Sequence, residues 1–318
     1  MRQQSFANGS FEKYRKTTRK EKFLNDMDQI IPWKELTALI EPFYPKPKGA
    51  GRRPVGVERM LRIYFLQHWF QLSDPGAEEA LYDTRSLREF VGIDLGQEPV
   101  PDESTILNFR HLLEEHNLGD GLFHCVNEYL EENGMKVARG TIVDATIINA
   151  PSSTKNKDKA RDPEMYQTKK GKQWYFGMKA HIGVDSKIKL IHSVAATAAN
   201  VHDSQVLEDL LHGDETRVYG DSAYAGQKEV LNEHAPDAKD FTQKKRARNN
   251  PLTETDKSKN TTKSRTRARV EHLFHTLKCQ FGYTKVRYRG LNKNANHLFS
   301  ACALVNLVTA KKHLLRAV

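Results

Sequence analysis

Apolar positions recur at helical spacing through the first part of the chain. Between Val57 and Leu72 they fall three and four residues apart, which predicts a strong core helix. Asp74-Pro75 predicts the start of the next helix, with Asp as the N-cap and Pro in the first turn. Apolar residues between positions 23 and 45 predict two shorter helices that are broken at prolines. We therefore expect residues 23–133 to form an all-helical N-terminal domain.

The pattern changes at Gly134. Thr141 to Ile148 is β-branched and apolar on both faces, which predicts a central strand. Residues 174–184 and 188–195 predict two paired strands, and Arg217 to Asp221 predicts the end of a further one. Strands mixed with short helices indicate an α/β fold with a mixed sheet. The predicted division is a basic arm at 1–22, the helical domain at 23–133, and an α/β domain at 134–318 with a basic connector at 244–266.

Residues 267–278 predict one amphipathic helix. Its apolar stripe consists of Val270, Leu273, Phe274, Leu277 and Phe281. Its other side carries Arg267, Glu271, His275 and Lys278. A carboxylate between cations is typical of a surface helix with ion pairs between turns. It is also typical of a metal-binding glutamate with phosphate-binding neighbours, and other carboxylates are needed to choose between these interpretations.

Positive charge is confined to the second part of the chain. Residues 1–133 hold 17 Lys and Arg against 22 Asp and Glu, whereas residues 134–318 hold 33 against 18. Solubility alone does not require this asymmetry. It indicates a polyanionic partner for the C-terminal part, most simply the phosphates of nucleic acid.

Composition argues against membrane and secreted classes. The longest apolar run, Ala301 to Val308, is shorter than the roughly 20 residues of a membrane span. The N-terminus lacks the apolar stretch of a secretion signal. The three cysteines lie far apart without paired spacing, which fits a reducing cytosol and argues against a zinc ribbon. We expect a cytoplasmic protein without membrane association.

Two further carboxylates lie where strands are predicted. Asp144 is inside an otherwise apolar strand, where an unpaired carboxylate is costly, and Asp221 ends a second strand. With Glu271 they would form a like-charge cluster that is unfavourable unless divalent cations occupy it. Two hard metal ions held in this way activate an attacking oxygen and stabilise a leaving one in phosphodiester chemistry.

Each carboxylate also has a simpler interpretation. Asp144 could accept hydrogen bonds from backbone N–H groups, Asp221 could form an Asx-turn at a strand exit, and Glu271 could pair with cations on its own helix. Because all three would have to hold together in a cationic region, we favour Asp144, Asp221 and Glu271 as metal ligands and catalytic groups.

The sequence around these residues resembles the DDE transposases of the bacterial insertion sequence 5 family, in the insertion sequence 4 type superfamily. The matching stretches are Val143-Asp144-Ala145-Thr146, Gly220-Asp221-Ser222-Ala223-Tyr224, Arg267-Ala-Arg-Val-Glu271-His272 and Ala199-Asn-Val-His-Asp203. The resemblance covers nearly the whole chain. It implies a ribonuclease-H-like core, a helical DNA-binding or dimerisation domain, Mg²⁺ with Mn²⁺ as a substitute, and cut-and-paste movement of the element through its terminal inverted repeats.

The resemblance also implies which cations touch DNA. The family signature Tyr-x2-Arg-x3-Glu-x6-Lys is met by Arg267, Glu271 and Lys278, but Ser264 stands at the Tyr position. The expected DNA-binding residues are Arg267, Lys278, Arg269, Lys285, Arg287, Arg289, Arg52 and Arg53. His202 and Asp203 are expected near the metals, although Asp203 as a helix N-cap is the simpler role. The expected partners are double-stranded DNA, as repeats and as target, and a second copy of the chain on that DNA.

Other functions remain compatible with the sequence. The first is a non-catalytic, sequence-specific DNA-binding protein or repressor derived from a transposase, and a nuclease acting on replication or repair intermediates is another. A helix-turn-helix that reads DNA through Asn108 and Arg110 is possible in the helical domain. Trp174 is expected in the core, with base stacking as the lesser alternative. No phosphate-binding glycine loop is present, and phosphodiester exchange needs no nucleotide cofactor.

Overall fold

Short helices fold the first part of the chain in the computed structural model, which describes residues 16–46, 53–246 and 251–317. They are α1 (Arg19–Ile30), α2 (Trp33–Ile40), α3 (Val57–Phe70), α4 (Asp74–Asp83), α5 (Arg85–Val91), α6 (Glu103–Glu115) and α7 (Leu118–Glu132). The helical prediction for this part is confirmed. Helix α1 takes in residues 19–22, which we had placed in a basic arm, because Thr18 and Glu21 form a reciprocal capping box at its start.

The N-cap of α4 differs from the prediction. Ser73, not Asp74, is the cap, and its hydroxyl accepts a hydrogen bond from the Gly76 N–H at 3.1 Å. Asp74 is thereby free to bind Gln67 and Arg110 through its two oxygens. One residue of displacement therefore changes Asp74 from a capping group into part of an ion cluster.

A mixed sheet forms the α/β part. Its strands are β1 (Gly140–Asn149), β2 (Tyr166–Lys170), β3 (Gln173–Asp185), β4 (Ile191–Ala198), β5 (Arg217–Tyr219) and β6 (Lys239–Asp240). Strand β1 is central, antiparallel to β3 and parallel to β5, and β5 continues in parallel to β6. β2 and β4 pair antiparallel with successive parts of β3. β2 lies within the polar, basic stretch 151–172 that links β1 to β3.

The remaining elements surround this sheet. They are α8 (Lys228–His234), α9 (Glu254–Arg267), α10 (Arg269–His275), a π-helical turn (Thr276–Gln280) and α11 (Leu291–Ala317). Helix α9 corrects the prediction of a solvated connector at 244–266. Thr253 and Asp256 form a capping box at its start, and basic residues occupy its last turn, so local signals stabilise a helix whose side chains contribute nothing fully buried.

The predicted helix over 267–278 is interrupted. Helix α9 ends at Arg267, α10 begins after Ala268, and the π-helical turn follows from Thr276. The apolar stripe is nevertheless correct: Val270, Leu273, Leu277 and Phe281 are buried, and Phe274 packs against the same core.

One large hydrophobic cluster joins the helices to one face of the sheet. Helix α11 packs against α1, α7 and β4 within it. Its segment Leu291–Arg316 is long and apolar enough to cross a membrane by composition, but 61% of that window is buried inside the protein, as expected for a core helix. A smaller cluster, containing Val143, Val218 and Tyr224, covers the other face of the sheet.

Candidate active site

The strand register brings Asp144 and Asp221 to the same level of the sheet. The last paired residues of the parallel strands β1 and β5 are Ile142 and Tyr219. Asp144 and Asp221 each lie two residues further along, so continuation of the two strands places them side by side. Their mutual proximity is visible in the electrostatics, since the charge of Asp221 contributes to raising the pKa of Asp144.

Asp144 is a strongly perturbed carboxylate. Burial raises its pKa to about 6, and Asp221 adds to this rise, whereas Arg267 and the N–H of Ala145 oppose it. Its Oδ1 accepts a hydrogen bond from the Ala145 N–H at 2.9 Å. The expected backbone bond is therefore present but leaves the carboxylate incompletely stabilised, because Oδ2 has only a long contact with Arg267.

Asp221 lies at an Asx-turn, as the simpler interpretation had it. Its Oδ1 accepts a hydrogen bond from the Ala223 N–H at 2.7 Å, which leaves Oδ2 available. The glycine before it is tightly surrounded, because an added Cβ at Gly220 would lie 3.1 Å from Val143 and 3.2 Å from Tyr224. This close approach holds the β5 exit against the middle of β1.

Arg267, the last residue of α9, points between the two aspartates. Its Nη1 lies 3.5 Å from Asp144 Oδ2 and 3.9 Å from Asp221 Oδ2. Both contacts are longer than the 2.7–2.9 Å of a good charge-assisted hydrogen bond. The guanidinium therefore reduces the repulsion between the carboxylates without satisfying either one.

Glu271 lies one helical turn further, at the start of α10. It is exposed, and within the described part of the chain its carboxylate has neither an ion pair nor a hydrogen bond. Arg267, its expected partner within the helix, turns to the aspartates instead. Among the described residues, no three His, Cys, Asp or Glu side chains are close enough together to hold a metal ion. The structure thus brings Asp144 and Asp221 together and leaves Glu271 on the adjoining helix.

The predicted DNA-binding cations have different surroundings. Lys278 is half-buried, donates to the Ile147 carbonyl on β1 at 2.7 Å, and has a lowered pKa because of that burial. Arg269 donates to the Ser186 carbonyl, and Arg289 pairs with Asp158 at 2.6 Å. Lys285 is exposed where its segment pairs with the end of β1.

The other predicted DNA-binding arginines are Arg287, Arg53 and Arg52. Arg287 is half-buried, and its charge contributes to lowering the pKa of the buried His68 and of the buried His297. Arg53 is exposed, and Arg52 lies outside the described residues.

A buried polar group lies behind the carboxylates and was missed by sequence reasoning. Lys179 on β3 donates to Asp203 at 2.7 Å and to the Val201 carbonyl, so Asp203 is an ion-pair partner and not a helix cap. His181 on the same strand binds Thr197 and has a pKa lowered to about 4 by burial. The cap of the short 3₁₀ turn at Asp203–Val206 is His202, whose ring nitrogen accepts from the Ser204 N–H.

Tyr224 connects this group to the aspartates. Its hydroxyl is buried without a hydrogen-bond partner, and burial together with the charges of Asp203, Asp144 and Asp221 raises its pKa. The sequence signal for this buried polar group was Lys179 and His181, which lie two residues apart on a predicted strand. Polar side chains at core-facing positions require partners.

Of the two residues considered for reading the DNA groove, Asn108 and Arg110, the structure excludes Arg110. Arg110 is buried, pairs with Asp74 and Glu114, and lies 4.1 Å from the centre of the Tyr288 ring. It is therefore unavailable to DNA, although Asn108 is exposed.

Ser264 also has a structural role. On α9 its hydroxyl accepts a hydrogen bond from the Gln243 side chain at 2.7 Å, which ties the helix to the chain after β6.

Two transposase family models match this chain. Residues 136–307 match the family model described as transposase DDE domain, and residues 12–112 match the one described as transposase domain (DUF772). Because the first match spans more than half of the chain, the protein belongs to the DDE transposase domain family. The predicted relation to DDE transposases is confirmed, whereas membership of the insertion sequence 5 family stays a prediction.

One solved structure has a weak similarity to the chain. The cryo-EM structure of a piggyBac transposase synaptic complex with hairpin DNA matches with a TM-score of 0.46 at 10% identity, over 92% of this chain and 73% of that chain. A TM-score of this size is below the level at which a common fold is established. The family match is the stronger finding, and it implies an enzyme that cuts and joins DNA.

Proposed function

We propose that the protein is an insertion sequence 5 type transposase that binds the terminal inverted repeats of its element and catalyses cleavage and strand transfer. The observation that supports this most is the pairing of Asp144 and Asp221 at the same level of two parallel strands, in a chain that belongs to the DDE transposase domain family. The antiparallel strands β4, β3 and β1, continued by the parallel β5 and β6, support a ribonuclease-H-like core.

The aspartate pair fits a divalent cation. Asp144 is buried, has a raised pKa and keeps Oδ2 without a close partner, so a cation would relieve the cost of its charge. Asp221 offers Oδ2 beside it. We assign Mg²⁺ to these two oxygens, with Mn²⁺ as a substitute and Glu271 as the third carboxylate. When bound, such ions activate the attacking oxygen and stabilise the leaving one.

The protein groups around the pair position the DNA. Arg267 lies between the aspartates without a close contact to either, so its guanidinium would be available to a phosphate next to the scissile bond. Lys278 is held at β1 by its hydrogen bond to the Ile147 carbonyl, and we assign its two other N–H groups to a second phosphate. Arg269, Lys285, Arg289, Arg53 and Arg52 extend the proposed contact to the DNA backbone.

The two parts of the chain have separate proposed tasks. Residues 134–318 carry the excess of positive charge and the carboxylates, and we assign cleavage to them. We assign repeat recognition or dimerisation to residues 23–133, where Asn108 remains an exposed candidate for base contact, and the working form is a homodimer on DNA in the bacterial cytoplasm. The two parts share one continuous hydrophobic core, because α11 packs on α1 and α7.

A second function is favoured by one observation. Among the described residues no group of three carboxylates converges, and Arg267 occupies the space between the aspartates. A repressor derived from a transposase would have this arrangement permanently, whereas in a transposase DNA and metal would move Glu271 toward the pair.

The decisive experiment is metal-dependent nicking. DNA carrying the inverted repeats that flank the gene is incubated with the protein and Mg²⁺ or Mn²⁺, and 3′-hydroxyl ends are mapped. Native protein is expected to cut at the repeat ends. Asp144→Ala, Asp221→Ala and Glu271→Ala are expected to lose at least about a hundredfold in rate, the scale of removing one group that stabilises transition-state charge.

A control variant makes this result specific. Glu254→Ala removes an exposed carboxylate at the far end of α9 and should leave cutting unchanged. Undiminished cutting by the three active-site variants would overturn the metal-site assignment. Specific gel shifts with no cutting under either metal would favour the repressor.

A further inference from the structure

The hydroxyl of Tyr224 is buried without a hydrogen-bond partner among the described residues. The residue has a relative exposure of 1%, and its ring packs with Val143 and Val218 in the smaller hydrophobic cluster. An unpaired hydroxyl in such surroundings costs free energy, because folding has removed the water that it would bind. Phenylalanine would fill the same space without this cost, so the hydroxyl requires an explanation.

Tyr224 belongs to the same turn as Asp221. Its N–H donates to the Asp221 carbonyl at 3.2 Å, and an added Cβ at Gly220 would lie 3.2 Å from its side chain. The same added Cβ would lie 3.1 Å from Val143 on β1. Because these groups are in contact, Asp221 cannot move relative to β1 without a matching movement of the Tyr224 ring.

Three carboxylates lie close enough to act on this phenol. Burial raises the pKa of Tyr224 most, and the charges of Asp203, Asp144 and Asp221 raise it further, in that order. Asp203 begins the 3₁₀ turn that leads to Leu207, and Leu207 packs in the same cluster as Tyr224. A phenol that keeps its proton beside carboxylates is a hydrogen-bond donor.

Each of these carboxylates has one occupied oxygen. Oδ1 accepts a backbone N–H in Asp144 and in Asp221, and it accepts the Lys179 ammonium in Asp203. Among the described residues, Asp203 Oδ2 has no hydrogen bond or ion pair, and Oδ2 in the aspartate pair has only the long contacts with Arg267. The proposed cation takes the two Oδ2 atoms of the pair. Asp203 Oδ2 is therefore the acceptor that remains for the phenol.

We propose that Tyr224 is a positioning residue for the divalent cation: when the cation holds the aspartate pair, the Tyr224 hydroxyl donates to Asp203 Oδ2 and fixes the turn that carries Asp221. This inference rests on the proposed function, since it presumes a cation at the pair. Without the cation the hydroxyl is unpaired, so the free protein carries a cost that the cation-bound protein does not. Residues that hold metal ligands in place in this way contribute about 10-fold to 100-fold to metal affinity.

Thermal unfolding in EDTA and at increasing Mn²⁺ concentration measures both states without DNA. The midpoint of the native protein should rise with Mn²⁺, because a ligand that binds only the folded state stabilises it. Tyr224→Phe should have opposite effects in the two conditions. In EDTA its midpoint should be about 2–4 °C above that of the native protein, since the unpaired hydroxyl is gone. With Mn²⁺, an equal rise in midpoint should require about 10 to 100 times more of the ion.

Tyr219→Phe is the matched control. Tyr219 ends β5 two residues before Asp221, is partly exposed, and stacks on Phe241. Loss of its hydroxyl should leave both the midpoint in EDTA and the Mn²⁺ response as in the native protein.

Asp203→Asn identifies the acceptor. Asparagine keeps one oxygen for Lys179 and replaces the other by an amide group that cannot accept a hydrogen bond. The Mn²⁺ response should therefore weaken as in Tyr224→Phe, and the double variant should be little worse than either, because both changes remove one interaction. Additive losses would overturn the proposed hydrogen bond between the two side chains.

Two results with Tyr224→Phe would overturn the inference. A midpoint in EDTA that is unchanged or lower would show that the hydroxyl already has a partner in the free protein. An unchanged Mn²⁺ response would show that it does not act on the cation. Either result leaves the transposase function standing if the native protein responds to Mn²⁺ and Asp144→Ala does not. A native protein without any Mn²⁺ response would overturn the metal assignment together with this inference.

Discussion

Arg110 and Arg267 each lie between two carboxylates, and they differ in how closely they are bound. Arg110 contacts Asp74 at 3.0 Å and Glu114 at 2.6 Å, with the Tyr288 ring against its guanidinium. Arg267 contacts Asp144 at 3.5 Å and Asp221 at 3.9 Å. The same residue types therefore form a closed ion cluster in the helical part and an open one at the sheet.

The two clusters differ in whether each carboxylate oxygen has a close hydrogen-bond or ion-pair partner. In the closed cluster, Gln67 binds the second oxygen of Asp74, so the carboxylate has partners on both sides. In the open cluster each aspartate keeps an oxygen whose nearest partner is a distant guanidinium. A closed cluster fixes tertiary structure, whereas an open carboxylate with a raised pKa, such as Asp144, marks a site at which a ligand completes the coordination.

The largest expected difference is in stability. Arg110→Ala should lower the free energy of unfolding by about 3–5 kcal/mol, because it removes the guanidinium partner of the buried Glu114 and of the partly buried Asp74. Arg267→Ala should cost about 1 kcal/mol or less, since its contacts are long and partly solvated. Urea midpoints at unchanged m-value measure both. Similar losses in the two variants would remove the distinction between closed and open clusters.

A second expected effect is acid sensitivity next to the closed cluster. The buried rings of His68 and His297 stack with centres 4.1 Å apart, and burial lowers the pKa of His68 to about 3 and that of His297 well below its usual value. Between the unfolded pKa near 6.5 and the folded value, the unfolded chain binds more protons. Stability is therefore complete above pH 6.5 and falls with decreasing pH, by about 1.4 kcal/mol per pH unit for each histidine.

His68→Phe isolates this contribution. The His68 Nε2 has no hydrogen-bond partner, so phenylalanine retains the stacking area at little cost. Between pH 6 and 4, the slope of the unfolding free energy against pH should fall by about 1.4 kcal/mol per pH unit, which corresponds to the uptake of one proton fewer on unfolding. An unchanged slope would show that His68 does not titrate in this way.

A third expected effect, at the open cluster, is an increase in the free energy of unfolding. Asp144→Asn should raise the free energy of unfolding by about 1–2 kcal/mol at pH 7.5 in EDTA, because the folded state disfavours the charge of this carboxyl and asparagine lacks it. Thermal unfolding without divalent metal measures the change. A destabilised variant would indicate that Asp144 is satisfied in the free protein.

The smallest expected effect concerns α9. Ser264→Ala should cost about 1 kcal/mol through loss of the Gln243 hydrogen bond, and the aspartates should be unaffected. Gln243→Ala in the same background should add little, since both variants remove one interaction. Additive losses in the double variant would show that the bond contributes nothing.

Local signals in the sequence determined much of this protein. Helical periodicity marked α3, and the β-branched stretch marked β1, because packing one face or both faces of an element restricts which residues it can carry. Asp144 and Asp221 were recognisable as unusual for the same reason: a carboxylate within or at the end of an apolar strand requires a partner. Helix α9 followed from a capping box that we had passed over in favour of its basic composition.

Only the tertiary structure decided which charges meet. The parallel register of β1 and β5 placed Asp144 beside Asp221, and the break after Arg267 directed that side chain to the aspartates and away from Glu271. Arg110 entered an ion cluster in place of the DNA contact that the sequence left open, and Trp174 stayed exposed against expectation. Partners 36 residues away in sequence and the edge of a sheet are invisible to local pattern. Periodicity records how a residue suits its own element, whereas the partner of a charge depends on how distant elements pack.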